Sequence, residues 1–513
     1  VKAESSPGSW AKRLLRIGVW AVVVVMVAVG GRCLYAWRDR NPGYRLVLDI
    51  DGTAAAALPQ PLRVGFAKAR INPDLSDPRH PVWLAGFSQH RAATGIHDDL
   101  WAIGCVLDDG HTRVGLVALD AIGLFHDDVL AVRRMLSPDL KLDYTVVCST
   151  HNHSTPDLMG LWGPNPLRAG VNPRYRQQVI RTVAVVLKDA VAALEPAAVA
   201  FHEIPVQTAG LVADTRKPEV FDPEIRLVHF VNPTNRSTLG TIINWANHPE
   251  TVWSRNTQIT ADFCGYLRQA LEQGVTLDGR QLVTGLGGTH LFVNGALGGL
   301  LTTSPSVTVH DPFLNQDFKA PSHDKARAVG HQLLAHILPV LTNATTSFTN
   351  KVALGVRART IEVPLDNFGF LLAPVFGVID RGFVRWKTVR TEVALITIGE
   401  ASLACIPGEI YPELVNGGIE RAPGGDFDVD PVEVPPLRQM MPGRVKFVLG
   451  LANDEIGYII PKSEWDRKPP YLYGASRPVY GEVNSVGPEA AGCIHAAFKS
   501  LCSLATRNLA SQR

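Results

Sequence analysis

Five apolar runs recur along the chain, each of strand length and rich in Val, Ile and Thr. They are RVGLVALD (113–120), YTVVCST (144–150), IRLVHFVN (225–232), GTIINWANH (240–248) and EVALITIG (392–399). Helical spacing separates some of them. In 175–194 the residues Val179, Val183, Val186, Leu187, Ala190, Val191 and Leu194 share one face. A second helix is expected from near Asp262, and a third from about Ser322 to Leu338. No internal repeat or long low-complexity break interrupts residues 61–500. The alternation predicts an α/β fold, one large domain of mixed β-sheets flanked by helices. Proline-rich patches at 431–443 and 468–478 are expected as long loops, which in compact domains are often functional. A 46% hydrophobic and 19% charged composition fits a globular chain and excludes disorder.

The charge is unevenly placed. Residues 1–40 hold seven Lys/Arg against two Asp/Glu, so a net +2 chain divides into a +5 leader and a −3 body. A mildly acidic body with no basic stripe and no Cys/His finger spacing argues against nucleic-acid binding. Within the leader, Lys12, Arg13 and Arg16 precede a charge-free run from Ile17 to Gly31. Its fifteen residues match a signal-peptide core in length, but no clean small-x-small cleavage site follows. Leu34 to Trp37 extend it to a span if Arg32 snorkels. Residues 1–40 are therefore expected to be a membrane anchor or a signal segment, 41–60 a linker, and 501–513 a tail. The body is expected to be exported, periplasmic or extracellular, either membrane-anchored or secreted after cleavage. The seven cysteines include no CxxC pair, so buried thiols with at most one disulfide are expected.

Two of the strand-like runs end in imidazoles. CSTHNHSTPD (148–157) carries His151 and His153 at positions i and i+2, on one side of a continued strand. In INWANHPETVW the run ends at His248, beside Pro249 and Glu250. Carboxyl ends of strands are where open α/β sheets carry their sites, and imidazoles there suit a metal. The competing readings are exposed loop histidines for the pair and a capping or core histidine for His248. Glu409 in LACIPGEIYPEL is either a metal-binding carboxylate or a first-turn helix glutamate. Tyr458 in LANDEIGYIIPKSEW is a phenol in an apolar setting that packing alone would explain. Asp262 opens a predicted helix, which favours a capping or supporting role. Asp98 and Asp99 suit a structural cation or a solvated turn. No GxSxG elbow is present, and the glycines near 285–299 lack a Walker lysine.

The order of GIHDDLWA, VVCSTHNHSTPD, INWANHPET, ITADFCGYL, FVNGALGG, IPGEI and NDEIGYIIP…YGASRPVYG resembles the neutral/alkaline ceramidase family. The resemblance covers residues 62 to about 498. It implies a neutral-ceramidase-like catalytic domain over 61–500 and a Zn2+ ion held by His151, His248, Glu409 and Tyr458. His153 is then the histidine that contacts substrate. Two departures accompany it. The family's Asn-Ala-Gly-Asp-Val-Ser-Pro stretch supplies a catalytic serine, whereas here NGALGGLLT (294–302) puts Gly299 in that place. Thr302, Thr303 or Ser304 would substitute only if the loop is rearranged. The family's C-terminal immunoglobulin-like domain has no counterpart in the sequence. The implied activity is zinc-dependent hydrolysis of N-acyl amides, with ceramide-like lipids favoured and the N-terminal helix holding the site near a bilayer. Another amide, an ester or a lactone is the alternative substrate, and a membrane-anchored binding protein with impaired catalysis is the alternative class.

Overall fold

The computed structural model describes residues 7–51 and 61–510. It opens with α1 (Pro7–Ala36), whose Trp10–Ala36 stretch has a mean hydropathy of 2.2 and is long and apolar enough to cross a membrane. The expected linker is partly structured. Val47–Ile50 forms β1, paired antiparallel with residues 356–359. Leu48 and Ile50 pack against the core, and Asp49 lies 2.9 Å from Arg357. Residues 52–60 of that span lie outside the described residues.

Three mixed sheets follow, each with the same logic. The first contains β2 (Arg63–Arg70), β3 (Trp101–Asp108), β4 (Arg113–Leu119), β5 (Tyr144–Ser149) and β6 (Glu195–Pro196), in the order β5-β4-β3-β2-β6. Helices α2 (His126–Met135) and α3 (Pro173–Ala192) belong to this part of the chain. The second contains β7 (Ala198–Pro205), β8 (Glu224–Val231), β9 (Thr238–Trp245) and β10 (Thr289–Asn294), ordered β10-β9-β8-β7, with α4 (Asp262–Gln273) and α5 (His323–Leu341). The third combines β1 with β11 (Leu354–Pro364), β12 (Thr388–Ile398), β13 (Ala401–Cys405) and, beyond the two-residue β14 (Glu409–Ile410), β15 (Val445–Leu449). Its order is β1-β11-β12-β13-β15. Helix α6 (Phe368–Phe376) interrupts this part, β16 (Tyr458–Ile459) pairs with β14, and α7 (Ala490–Ala510) closes the chain. The expected tail thus starts inside α7, where Leu501 and Cys502 are buried. Residues 511–513 lie outside the described residues.

Alternation along each strand explains the layering. Ile103 and Cys105 in the first sheet, Val228 and Phe230 in the second, and Ala394 and Ile396 in the third share one central cluster. The intervening residues face helices: Ala102 and Val106 pack with Val183 and Leu187 of α3, and Val393 and Leu395 pack with Ile494 and Phe498 of α7. Sheets covered on both faces read as continuous apolar runs, which is why the strands stand out in the sequence. Each fully buried Val, Leu, Ile or Phe contributes about 1.5–3 kcal/mol against exposure.

Each sheet is antiparallel except for one parallel pair: β4 with β5, β9 with β10, and β13 with β15. Polar side chains tie the strands of different sheets together. The Asn294 amide donates to the carbonyls of Thr150 (2.9 Å) and Asn247 (2.7 Å), linking the ends of β5 and β9. Glu392 of β12 accepts two bonds from Arg133 of α2 (2.9 and 2.8 Å) and one from Tyr144 of β5 (2.6 Å). Burial alone would raise the Glu392 carboxyl, but Arg133 outweighs it and holds it down at about 2. No disulfide forms among the described residues, and five of the seven cysteines are buried.

Candidate metal centre

The seam where the three sheets end gathers the histidines and carboxylates singled out in the sequence. β5 stops at Ser149, so His151 and His153 are not on a strand as expected. His151 takes a left-handed φ of +64° just beyond it, and this turn brings the two rings to 5.1 Å. A non-glycine residue held there marks an over-determined local structure. His248 sits three residues past β9, fully buried, with ring centroids 4.9 Å from His151 and 5.4 Å from His153. Glu409 begins β14 directly after the turn that follows β13. Tyr458 is its register partner in β16, which sets the two residues side by side.

The hydrogen bonds fix the tautomers. His151 donates from Nδ1 to the Ile122 carbonyl (2.7 Å), and His248 donates from Nδ1 to the Leu300 carbonyl (2.5 Å). Each neutral ring therefore presents a lone pair at Nε2. Both Nε2 atoms face one carboxylate oxygen, Glu409 Oε2, at 3.2 and 3.1 Å. Two lone pairs and an anion directed at one another repel unless a proton or a cation lies between them. Burial disfavours a charged His151, yet the Glu409 carboxylate outweighs this and raises its pKa. Burial works against the Glu409 carboxylate too, but His151 and His248 hold it well below the usual range. Two imidazole nitrogens, a carboxylate and a neighbouring phenol form a donor set that suits a divalent first-row ion such as zinc. The nitrogens of His151, His153 and His248 also lie within 4.8 Å of one another.

His153 differs from the other two. Its Nδ1 lies 3.1 Å from Glu250 Oε2 without hydrogen-bond alignment, and its Nε2 is buried with no polar partner in the protein. Burial pulls its pKa down to about 4, so the ring is neutral near pH 7. Its backbone is clamped by Arg91, which donates to the carbonyls of His153 and of Ala85 (2.6 Å). Gly86 packs so close, at φ +103°, that a β-carbon there would stand 2.3 Å from the His153 ring.

Two cavities meet at the cluster. One is apolar and reaches under α6, lined by Ile122, Phe125, Met159, Phe370, Pro374 and Ile379, with His151 and Glu409 at its end. The other is a wider groove bordered by Phe87, Trp253, Leu301 and residues 475–480, which run from the second proline-rich patch to just past it. Gly86, His153, Tyr458 and Tyr480 line both.

No protein-family model matches this chain, and no curated protein sequence matches it. Solved structures do. Neutral ceramidase from Pseudomonas aeruginosa superposes with a TM-score of 0.65 at 17% identity, over 87% of this chain and 75% of that one. A structure of ceramidase complexed with C2 gives 0.63 at 16% identity, over 87% and 76%. The fold is that of neutral ceramidase. The mixed α/β architecture expected from the sequence is thereby borne out. On this ceramidase fold His151, His153, His248, Glu409 and Tyr458 all reach one seam.

Three further features were not resolved by sequence reasoning. Glu250 stood in the quoted motif only as a neighbour of His248, yet its carboxylate faces His153. Arg216 is buried against Glu482 (2.9 Å) and over the Tyr411 ring (5.2 Å) behind the groove. Tyr480, in YGASRPVYG, packs against Tyr458 at 5.8 Å. Their signal was weak because each is an ordinary loop residue until the chain folds back. Gly299 lies on the groove wall at φ +77°, and a β-carbon there would meet the Tyr411 ring at 2.8 Å. None of Thr302, Thr303 and Ser304 lines either cavity. Asp262 accepts from the backbone N–H groups of Phe263 (2.7 Å) and Val252 (3.3 Å), bracing the segment after His248. Asp98 accepts from Thr260 (2.5 Å) and the Ala261 N–H (2.7 Å), so it holds a turn.

Proposed function

We propose that this chain is a zinc-dependent amidohydrolase that cleaves N-acyl amides, with ceramide-like lipids as the favoured substrates. The observation that carries the reading is the pair of Nε2 lone pairs aimed at Glu409 Oε2, each fixed by a backbone carbonyl behind it. His151, His248 and Glu409 would hold the ion, with Tyr458 as the fourth ligand. When bound, zinc would supply Lewis acidity toward a carbonyl oxygen and would lower the pKa of a water.

The side chains supply the rest. Water adds to the amide carbon, the C–N bond breaks, and a carboxylic acid and a free amine leave. The proton moves from the water to the amine nitrogen, and His153 Nε2 is the carrier, since that atom is otherwise unpartnered. Glu250 faces the opposite ring nitrogen and stabilises the imidazolium formed in transit. The apolar cavity beneath α6 suits one hydrocarbon chain, and the open groove suits the second chain or the headgroup. Gly299 and its tight fit against Tyr411 support a mechanism without the family's serine. With the body held by α1 on the far side of a membrane from Lys12, Arg13 and Arg16, the site would stand near lipid substrates.

The replacement at Gly299 also favours a second reading, hydrolysis of a different amide, an ester or a lactone at the same site. Purified chain is assayed with zinc content measured, against short-chain N-acylsphingosine, N-acyl amino acids and simple esters. Turnover of the acylsphingosine that disappears with the zinc supports the proposal. Activity confined to esters replaces it with the second reading, and bound zinc without any turnover leaves only a binding protein.

A further inference from the structure

Helix α6 carries nine residues, FGFLLAPVF, with no charged or hydroxyl side chain among them. Its inner side is accounted for: Leu371 enters the core, and Phe370 and Pro374 roof the apolar cavity. The outer side is not. Phe368, Leu372 and Phe376, spaced at i, i+4 and i+8, form a stripe whose end residues are 68% and 56% exposed. Trp386 beside it is 56% exposed, flanked in sequence by Arg385 and Lys387.

What covers this face is indicated by α1. Ile17 to Ala36 is twenty residues, roughly 30 Å of helix, which matches a bilayer's hydrocarbon core. Arg32 falls about 6 Å inside the far end of that span. Its guanidinium is not left in lipid, because it donates to the carbonyls of Pro374 and Val375 (both 2.7 Å) at the carboxyl end of α6. One turn on, Trp37 donates to the Leu371 carbonyl (2.8 Å) and packs edge-on against Trp386 at 4.4 Å. Asp39 then pairs with Arg390 (2.9 and 2.7 Å), and Arg40 with Asp380. The bonds from Arg32 and Trp37 hold α6 at the depth where α1 leaves the apolar layer. Paired tryptophans flanked by basic residues are typical of that level.

We propose that α6 is an interfacial helix, with Phe368, Leu372, Phe376 and Trp386 immersed in the bilayer that α1 crosses, so that a lipid passes beneath α6 into the apolar cavity. The immersion rests on α1 crossing a bilayer and on the contacts between α1 and α6, while the passage of substrate rests on the hydrolase reading. The test uses the full chain in phosphatidylcholine vesicles, with Cys33→Ser and Cys493→Ser as background. Nitroxide labels are placed singly at Phe368→Cys, Leu372→Cys, Phe376→Cys, Val24→Cys and Asn235→Cys, the last in the hairpin at the opposite end of β9 from His248. Collision with oxygen exceeding collision with a water-soluble nickel complex at 368, 372, 376 and 24, but not at 235, is the expected result. Labels on α6 that behave like 235 while 24 is in lipid overturn the proposal, and so does a water-exposed 24. These outcomes do not depend on turnover, so failure of the hydrolase reading is seen separately. For delivery, Phe368→Asp/Phe376→Asp is expected to lower hydrolysis of vesicle-borne acylsphingosine about tenfold, with a soluble short-chain amide unaffected. Equal loss on both substrates, or on neither, overturns delivery.

Discussion

The seam between the sheets and the contact between α1 and α6 use polar groups in opposite ways. At the seam the chain is fixed several times over: Asn294 binds two carbonyls just past the ends of β5 and β9, Arg381 pairs bidentately with Asp454 at 2.6 Å, and Glu392 anchors the opposite, amino end of β5 through Tyr144. There the backbone accepts a strained His151, since its neighbours leave it no alternative. At α6 an apolar helix with an exposed face is held by three side-chain bonds from Arg32 and Trp37. The seam is built to hold charge in one geometry, whereas α6 is built to sit against something apolar. Rigidity follows the bonding: positioning chemistry needs the first arrangement, and contact with lipid tolerates the second.

The largest effect is expected from breaking the seam at its charge. Glu409→Ala removes the anion between two fixed lone pairs. It should cost at least about a thousandfold in kcat/KM and abolish stoichiometric zinc, as read by elemental analysis, while circular dichroism is unchanged. Retained zinc would reassign the ion to the three imidazoles. Next comes Glu392→Ala, which strands the buried Arg133 charge and should cost about 3–5 kcal/mol in urea unfolding. The same pair predicts a pH dependence. Glu392 is held below its unfolded value, so its stabilisation is complete above about 4.5 and drains away as pH falls toward about 2. The variant should show a flatter acid limb than wild type over that window.

That buried pair also illustrates what a sequence hides. The strands were legible because sheets covered on both faces require continuous apolar runs, and α3 was legible because its inward stripe repeats at helical spacing. The imidazoles at the ends of β5 and β9 were legible as positions, and their convergence was implied by the family resemblance, but the backbone geometry that achieves it was not legible. It depends on the left-handed turn at His151, which a strand alternation rule does not anticipate. Glu250 and Tyr480 acquire meaning only when the loops after β9 and before α7 fold over one another. Strand β1 was read as linker because four residues, VLDI, are too few to show periodicity. Its place is set by β11 and by Arg357, which lie some three hundred residues away.

Gly86 tests how finely the seam is tuned. Gly86→Ala adds a methyl group against the His153 ring at a positive φ, so the ring must move. A displacement of the order of 1 Å predicts roughly a hundredfold lower kcat, with zinc content unchanged. An unaltered rate would remove His153 from proton transfer. Gly299→Ser is the gentler counterpart. Restoring the hydroxyl of the resembling family should not raise activity. It forces a side chain onto φ +77° against Tyr411, and a loss of about 1–2 kcal/mol in thermal unfolding is expected. A gain in kcat would show that the loop relaxes and that the serine route is recoverable.

The smallest effect is expected where the comparison began, at the edge of α6. Trp37→Phe keeps the ring against Trp386 but deletes the indole N–H that reaches the Leu371 carbonyl. One hydrogen bond is worth about 1 kcal/mol net. Amides of residues 368–376, Pro374 apart, should therefore exchange with deuterium about fivefold faster in detergent-solubilised protein. Amides of β5 and β9 should keep their rates, because their strand ends are fixed by Asn294 and not by α6. Should those strands also exchange faster, the two regions open as one unit, and α6 is a structural member of the seam with no independence to lend to lipid contact.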